Sequence, residues 1–178
     1  SACSTSTGAY DNLEEIATFC QQHQLWFHTD GAHGGAVVLS EKYKYLVKGI
    51  EKSDSVVVDF HKMLMMPALS TALIFRNETD AYHTFQQKAQ YLWSNQQSME
   101  WYNLGKRTFE CTKLMMSLKI YVSLRTYGEA LFRANIEVLH DLARRFAEII
   151  TARSQWELAL QPESNIVCFR YCFPQQIN

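Results

Sequence analysis

Ser55-Val56-Val57-Val58-Asp59-Phe60-His61-Lys62 is an apolar β-branched run that ends in polar side chains. Such a run is typical of a strand buried on both faces. Leu25–Thr29 predicts a short strand upstream that ends at Asp30, and Thr71–Arg76 predicts another downstream. A helix over residues 12–23 precedes them. This alternation of helix and buried strand predicts an α/β fold with a largely parallel sheet.

The second half of the chain has a different pattern. It predicts helices over residues 80–92, 108–127 and 129–154, with a polar loop over 94–105 and a break at Gly128. The last helix has an apolar stripe that we expect to be buried, formed by Leu131, Ile136, Leu139, Leu142, Ala143, Phe146 and Ile150. Strands over 156–160 and 165–171 follow, separated by Pro162. Helices followed by strands indicate a second, smaller α+β domain, which we expect to be incomplete.

Composition excludes several classes of function. The chain has 178 residues with a formal net charge of −1, so it carries no electrostatic signature of a nucleic-acid or membrane-surface binder. No apolar run is long enough to cross a bilayer. The 5 cysteines are scattered and form no C-x-x-C pair, which favours reduced thiols in a cytoplasmic protein. The absence of an initiator Met led us to expect a segment of a longer protein.

Lys62 and Asp30 follow two of the predicted buried strands. In α/β sheets, ligands bind beyond the carboxyl ends of the strands, where both residues would lie. A lysine and a carboxylate in this position suit a pyridoxal phosphate enzyme. The lysine forms a Schiff base with the cofactor aldehyde, and the carboxylate partners the pyridinium nitrogen. Apolar surroundings would favour the neutral amine that this bond requires.

The same region allows two other hypotheses. His28, Asp30 and His33, with His61 completing the set, loosely resemble the ligand spacing of a metal-dependent hydrolase. We favour the cofactor over the metal, because a metal site would leave Lys62 without a role. A catalytically inactive homologue that serves as a binding module is a further alternative, and the presence of both Lys62 and Asp30 argues against it.

Three motifs carry a resemblance to a known family. They are Ser4-Thr5-Ser6-Thr7-Gly8-Ala9-Tyr10-Asp11, Trp26-Phe27-His28-Thr29-Asp30-Gly31-Ala32-His33-Gly34-Gly35 and Asp54-Ser55-Val56-Val57-Val58-Asp59-Phe60-His61-Lys62. In order and spacing they resemble the group II pyridoxal phosphate-dependent amino acid decarboxylases, over nearly the whole chain. The resemblance implies fold-type I architecture and a homodimer with its active site at the subunit interface.

The resemblance also implies a role for each site residue. Lys62 would form the Schiff base, and Asp30 would partner the pyridine nitrogen. His61 would lie by the cofactor phosphate, and Ala32 would pack on the ring. Thr5 would lie near the cofactor and the substrate carboxylate, and Tyr102 would donate a proton. Residues 1–130 would form the second half of the large cofactor-binding domain. Residues 131–178 would begin the small C-terminal domain.

The implied reaction is decarboxylation of an L-amino acid to an amine and CO₂. The runs Asp59-Phe60-His61-Lys62 and Ser123-Leu124-Arg125-Thr126-Tyr127-Gly128 look more like enzymes for small acidic or diamino substrates, namely glutamate, aspartate or 2,4-diaminobutyrate. Other fold-type I enzymes, such as aminotransferases, share a similar Asp/Lys pair and remain an alternative. In either case the cofactor is pyridoxal phosphate, and no metal is expected.

Overall fold

The computed structural model describes residues 1–85, 101–110 and 112–173. Helices and strands alternate as expected for an α/β fold. In chain order they are α1 (Leu13–Gln22), β1 (His28–Asp30), three 3₁₀ helices (Gly34–Leu39, Lys44–Val47 and Ile50–Lys52), β2 (Ser55–Asp59), β3 (Thr71–Phe75), α2 (Asp80–Phe85), a fourth 3₁₀ helix (Leu104–Arg107), α3 (Met116–Thr151), β4 (Trp156–Leu158) and β5 (Phe169–Tyr171). Most of the polar loop predicted over 94–105, and the end of the helix predicted over 80–92, lie outside the described residues. Among those residues, no helix is both long and apolar enough to cross a membrane.

The sheet that carries the site has the order β1-β2-β3 and is mixed. Strands β1 and β2 run parallel, with Asp30 opposite Val57. Strands β2 and β3 run antiparallel, with Asp59 opposite Thr71. The prediction of a largely parallel sheet therefore holds for the first pair and is wrong for the second. The reason is the connection over residues 60–70, which is too short for the crossover that parallel strands need.

Two other elements begin later in the chain than the sequence predicts. Strand β1 starts at His28 rather than Leu25, because Leu25 instead closes α1 through its N–H, which donates to Cys20 O at 2.9 Å. Helix α3 starts at Met116 rather than residue 108. Thr108 has an extended backbone, and its hydroxyl donates to Glu110 O at 2.7 Å, a local bond that competes with helix formation.

Gly128 interrupts α3 as predicted, with φ 68° and ψ 171°, a backbone geometry that favours glycine. After this kink, the buried positions are Phe132, Ile136, His140, Ala143, Ala147 and Ile150. Their spacing of three and four residues is helical, but the buried face is rotated from the predicted stripe. Leu131, Leu142 and Phe146 of that stripe are exposed.

One hydrophobic core joins the helices to the site. It contains Leu13 and Ala17 of α1, Phe27, Val37, Tyr43, Met63 and Leu64 from the connections, and Phe132 and Ile136 of α3. The second half of α3 thus packs on elements from the first part of the chain. The domain boundary at 130/131 stays a prediction.

Strands β4 and β5 are shorter than predicted and form a separate antiparallel pair. The loop between them turns back towards the site. There, Glu163 Oε2 accepts from Tyr10 N at 2.7 Å, and Asn165 Oδ1 lies 2.7 Å from His33 Nε2.

Candidate active site

The carboxyl ends of β1 and β2 lie side by side, and hydrogen bonds continue past both strands. Gly31 N donates to Val57 O at 3.0 Å, and Asp59 N donates to Ala32 O at 3.1 Å. The chain after β1 therefore runs along the end of β2. Asp30 and the turn that carries Lys62 consequently share one edge of the sheet, as the sequence predicts.

Asp30 lies at this edge, and one of its two carboxylate oxygens accepts a hydrogen bond. Its Oδ1 accepts from Ala32 N at 3.0 Å, while its backbone oxygen accepts from Ala2 N at 2.7 Å. No other hydrogen bond or ion pair to this carboxylate occurs within residues 1–85, 101–110 and 112–173. The exposed side chain can thus bind a proton donor through Oδ2.

The N-terminal segment packs beside β1 because Gly34 has no side chain. Gly34 N donates to Ala2 O at 3.1 Å, and a Cβ on Gly34 would lie 2.4 Å from that same oxygen. It would also lie 2.7 Å from the Tyr10 ring. The glycine pair of the second motif therefore allows this close approach, and any larger residue at position 34 would displace the segment.

Lys62 pairs with the carboxylate of Asp59. The sequence predicts Asp59 only as the last residue of β2. Lys62 Nζ lies 3.0 Å from Asp59 Oδ2, and the Lys62 side chain is 38% exposed. Asp59 Oδ1 accepts from the Thr71 hydroxyl at 2.5 Å. Burial by itself would raise the pKa of Asp59, but the hydrogen bonds from Thr71 and Lys62 and the Lys62 charge hold it below its ordinary value. The three-residue spacing of Asp59 and Lys62 was a signal for this pair.

His61 is oriented by the backbone of Ser70. Its Nδ1 lies 3.0 Å from Ser70 N and 3.1 Å from Ser70 O. Nε2 lies 3.8 Å from Asp59 Oδ2. The ring therefore presents Nε2 at the same edge as Lys62, where it can bind a polar group of a ligand.

Cys3 links the first motif to Lys62. Burial raises the pKa of its thiol, against a hydrogen bond from Ser164 and the nearby positive charge of Lys62. The following turn closes with Ser4 N donating to Ala9 O at 2.8 Å, and Thr5 lies exposed within it. No hydrogen bond fixes Thr5 to Asp30 or Lys62 in the described part of the chain.

Tyr102 is an exposed side chain whose described ring contact is with its neighbour Trp101. Its side chain is 69% exposed, and its ring packs edge-on against Trp101 with centroids 6.0 Å apart. No hydrogen bond between Tyr102 and Asp30 or Lys62 occurs among the described residues. Its role as a proton donor stays a prediction.

The alternative metal site is not assembled. His28 Nδ1 lies 2.8 Å from Ser55 Oγ, and His33 Nε2 lies 2.7 Å from Asn165 Oδ1. Within the part of the chain that the structure describes, no three His, Cys, Asp or Glu side chains are placed to hold a metal ion. The residues suggested as ligands instead bind different partners within the protein.

The groups at the sheet edge fit pyridoxal phosphate by their chemistry. The Asp30 carboxylate has an oxygen available for a pyridinium N–H, and Lys62 offers a primary amine at the end of the adjacent strand. His61 offers a ring nitrogen for a polar group such as a phosphate, and Ala32 is small and partly exposed.

Comparison with known proteins points to the same chemistry. Residues 1–172 match the sequence profile described as the pyridoxal-dependent decarboxylase conserved domain. The chain is 33% identical over 175 residues to the cysteine sulfinic acid decarboxylase of Mus musculus, covering 96% of this chain and 35% of the relative. It is 31% identical over 171 residues to an aromatic-L-amino-acid decarboxylase of Bacillus atrophaeus, covering 96% and 36%.

Structural similarity covers the same extent. The crystal structure of mouse CSAD superposes with a TM-score of 0.86 at 30% identity, covering 98% of this chain and 36% of that one. The acidic amino acid decarboxylase GADL1 of Mus musculus is 31% identical over 178 residues, covering 97% of this chain and 32% of the relative. The chain therefore spans about a third of the length of the curated relatives that it matches.

Proposed function

Because this chain belongs to the pyridoxal-dependent decarboxylase family, whose fold is fold-type I and whose cofactor is pyridoxal phosphate, we propose that the protein decarboxylates an L-amino acid to the amine and CO₂. The observation that carries the proposal is the common sheet edge of two adjacent strands. There, Asp30 has a free carboxylate oxygen, and Lys62 offers an exposed amine.

Bound pyridoxal phosphate supplies an electrophilic aldehyde and a ring that accepts the electrons of the broken bond. Lys62 Nζ is the amine that would hold the aldehyde carbon. Asp30 Oδ2 would keep a proton on the ring nitrogen, while Oδ1 stays bound to Ala32 N. His61 Nε2 would bind the phosphate. Tyr102 is our proposed source of the proton that replaces the carboxylate.

We propose a small acidic or diamino acid as the substrate. The acidic choice is supported by relatives that are named acidic amino acid and cysteine sulfinic acid decarboxylases, at 31% and 33% identity. An L-aspartate decarboxylase of Metarhizium robertsii is 31% identical over 172 residues. The aromatic relative from Bacillus atrophaeus has the same identity, so direct measurement of the substrate decides this point.

We also propose a cytoplasmic homodimer with a shared active site. Exposed apolar side chains on the first half of α3, such as Leu118, Tyr121 and Val122, support a subunit contact. Free thiols at Cys3, Cys20, Cys168 and Cys172 fit a reducing compartment.

The test uses the full-length enzyme loaded with pyridoxal phosphate. Reduction with borohydride followed by peptide mass spectrometry should place the cofactor on Lys62. A label on another lysine would contradict the assignment. Lys48, which pairs with Glu14 on the surface at 2.8 Å, provides the control: Lys48→Ala should be labelled at Lys62 as in the wild type.

Product analysis tests the reaction and the substrate together. The enzyme is incubated separately with glutamate, aspartate, sulfinoalanine, 2,4-diaminobutyrate and aromatic amino acids. CO₂ and the matching amine should form in equal amounts from an acidic or diamino substrate. Formation of a keto acid without CO₂ would instead favour an aminotransferase.

A further inference from the structure

Asp59 is the most enclosed charged group at the sheet edge. Its side chain is only 14% exposed, and each carboxylate oxygen has its own donor, Thr71 for Oδ1 and Lys62 for Oδ2. Asp59 N also donates to Ala32 O at 3.1 Å, which joins this residue to the segment after Asp30. The carboxylate is therefore held in one orientation that faces Lys62.

Lys62 supplies the positive charge that balances Asp59. His61 is the other basic group near this carboxylate, at 3.8 Å, and its Nδ1 lies beside the backbone of Ser70. The N-terminal segment contributes the Cys3 thiol, which burial favours in its neutral form. Burial and the charge of Glu163 raise the pKa of both Cys3 and Tyr10. Among the described residues, Asp59 is thus the one carboxylate within ion-pair distance of Lys62.

We propose that Asp59 is a positioning residue that pairs with the Lys62 amine in the cofactor-free protein and so slows its reaction with an electrophile. The inference rests on the proposed function, in which Lys62 bonds to an aldehyde. That bond requires the ammonium to release one proton to solvent. The neutral amine then adds to the aldehyde carbon, a carbon–nitrogen double bond replaces the carbon–oxygen one, and one water leaves. Asp59 opposes these steps because the Lys62 amine has to leave the contact with Asp59 before it can react.

Competitive labelling of the amine tests this without any activity measurement. The full-length protein, stripped of cofactor, is treated with a trace of acetic anhydride between pH 6 and 10, and acetylation of Lys62 is read by peptide mass spectrometry. The reagent is uncharged, so the rate reports the neutral amine. Asp59→Asn should raise the labelling rate of Lys62 at neutral pH about three- to tenfold. Removing one partner of a fully buried ion pair would have a larger effect, but Lys62 is partly exposed.

Matched variants separate charge from fold. Asp59→Glu keeps the charge and should restore slow labelling. Asp54→Asn removes a carboxylate at the other end of β2, which pairs with Arg76 at 3.8 Å, and should leave Lys62 at the wild-type rate. Equal rates in Asp59→Asn and the wild type would overturn the inference, and so would equal acceleration in Asp59→Asn and Asp54→Asn.

Asp59→Ser provides a second route if Asp59→Asn does not fold. It removes the charge and keeps a small hydroxyl beside Thr71, so Lys62 should label faster than in the wild type. An unchanged rate there would overturn the inference. The outcomes remain distinct from those of the proposed function. Accelerated labelling in an enzyme that forms no amine would contradict the decarboxylase alone, and amine formation with unchanged labelling would contradict the role of Asp59 alone.

Discussion

Two polar clusters in this protein are built from similar side chains and differ in what they leave open. The edge cluster consists of Asp30, Asp59, His61, Lys62 and Thr71. The helix cluster consists of Lys42, Tyr43, Glu137, His140, Asp141 and Arg144, where α3 meets the 3₁₀ segments. Each contains a lysine–aspartate contact, since Lys42 lies 2.6 Å from Asp141 and Lys62 lies 3.0 Å from Asp59.

The side chains of the helix cluster mostly bind one another. The Tyr43 hydroxyl donates to Asp141, and its ring stacks on His140 at 4.8 Å. Arg144 lies over the Tyr43 ring at 4.7 Å, and Glu137 accepts from Ser40 Oγ at 2.7 Å. Most of its polar groups therefore bind partners within the protein.

The edge cluster keeps groups available. Asp30 uses one carboxylate oxygen, and the Lys62 amine is partly exposed. A polar cluster alone therefore does not indicate a site. A site also needs groups that remain free to bind a ligand. Substitutions in the edge cluster should therefore change chemistry, whereas substitutions in the helix cluster should change stability.

The largest expected effect is that of Lys62→Ala on the full-length holoenzyme. Loss of the amine should lower the rate of amine formation on the order of 10³-fold or more. The free energy of unfolding should change by less than about 1 kcal/mol, because the pair is partly exposed and Asp59 keeps the Thr71 hydroxyl. The measurements are product formation and denaturant unfolding of the cofactor-free protein.

Lys42→Ala is the matched control, since it removes the lysine of the other cluster. It should leave the rate of amine formation near that of the wild type. A comparable loss of activity in the two variants would break the distinction between the clusters.

Asp30→Asn should have the next largest effect. Asparagine keeps an oxygen for Ala32 N but lacks the charge that would hold a proton on the ring nitrogen. By analogy with the loss of one electrostatic stabiliser, the rate of amine formation should fall roughly 10²- to 10³-fold. Asp141→Asn in the helix cluster should be fully active. An active Asp30→Asn enzyme would remove this carboxylate from the proposed mechanism.

Part of the site follows from local sequence. The apolar β-branched run defines β2 at both ends, and parallel pairing with β1 brings Asp30 and Lys62 to one edge. The contact of Asp59 with Lys62 was missed although its spacing is local, because Asp59 was interpreted only as the end of a strand.

The helix cluster could not be predicted in the same way. His140 stands among apolar residues of α3, and its partner Tyr43 comes from a distant 3₁₀ segment. Periodicity indicates that a helix has a buried face, but the partner that packs there determines which residues it includes. That is why Leu142 was predicted to be buried and His140 was not, although His140 is 0% exposed.

His140 should make stability depend on pH. Burial lowers the pKa of this imidazole, and its Nε2 is a buried atom without a partner in the described structure. The folded state thus binds fewer protons than the unfolded state below about pH 6.5. Stability is retained above that pH and falls as pH decreases towards the folded pKa.

His140→Leu removes this titration and should flatten the difference between unfolding free energies at pH 7.5 and 5.5. The edge cluster provides the contrast, because the pKa of Asp59 is lowered from 3.8 and its contribution is lost only at more acidic pH. Parallel pH dependences of the wild type and His140→Leu would contradict this account.

The smallest effect should come from Tyr43→Phe. The variant loses the hydroxyl that donates to Asp141, but it keeps the ring between His140 and Arg144, and Lys42 still pairs with Asp141. The free energy of unfolding should fall by about 1 kcal/mol or less, and amine formation should not change. Tyr45→Phe, which removes the exposed hydroxyl that accepts from Arg144 at 3.3 Å, is the control and should have no measurable effect on stability. A loss of activity in Tyr43→Phe with unchanged stability would show that the helix cluster takes part in the chemistry after all, because a purely structural hydroxyl affects the rate only through the folded fraction.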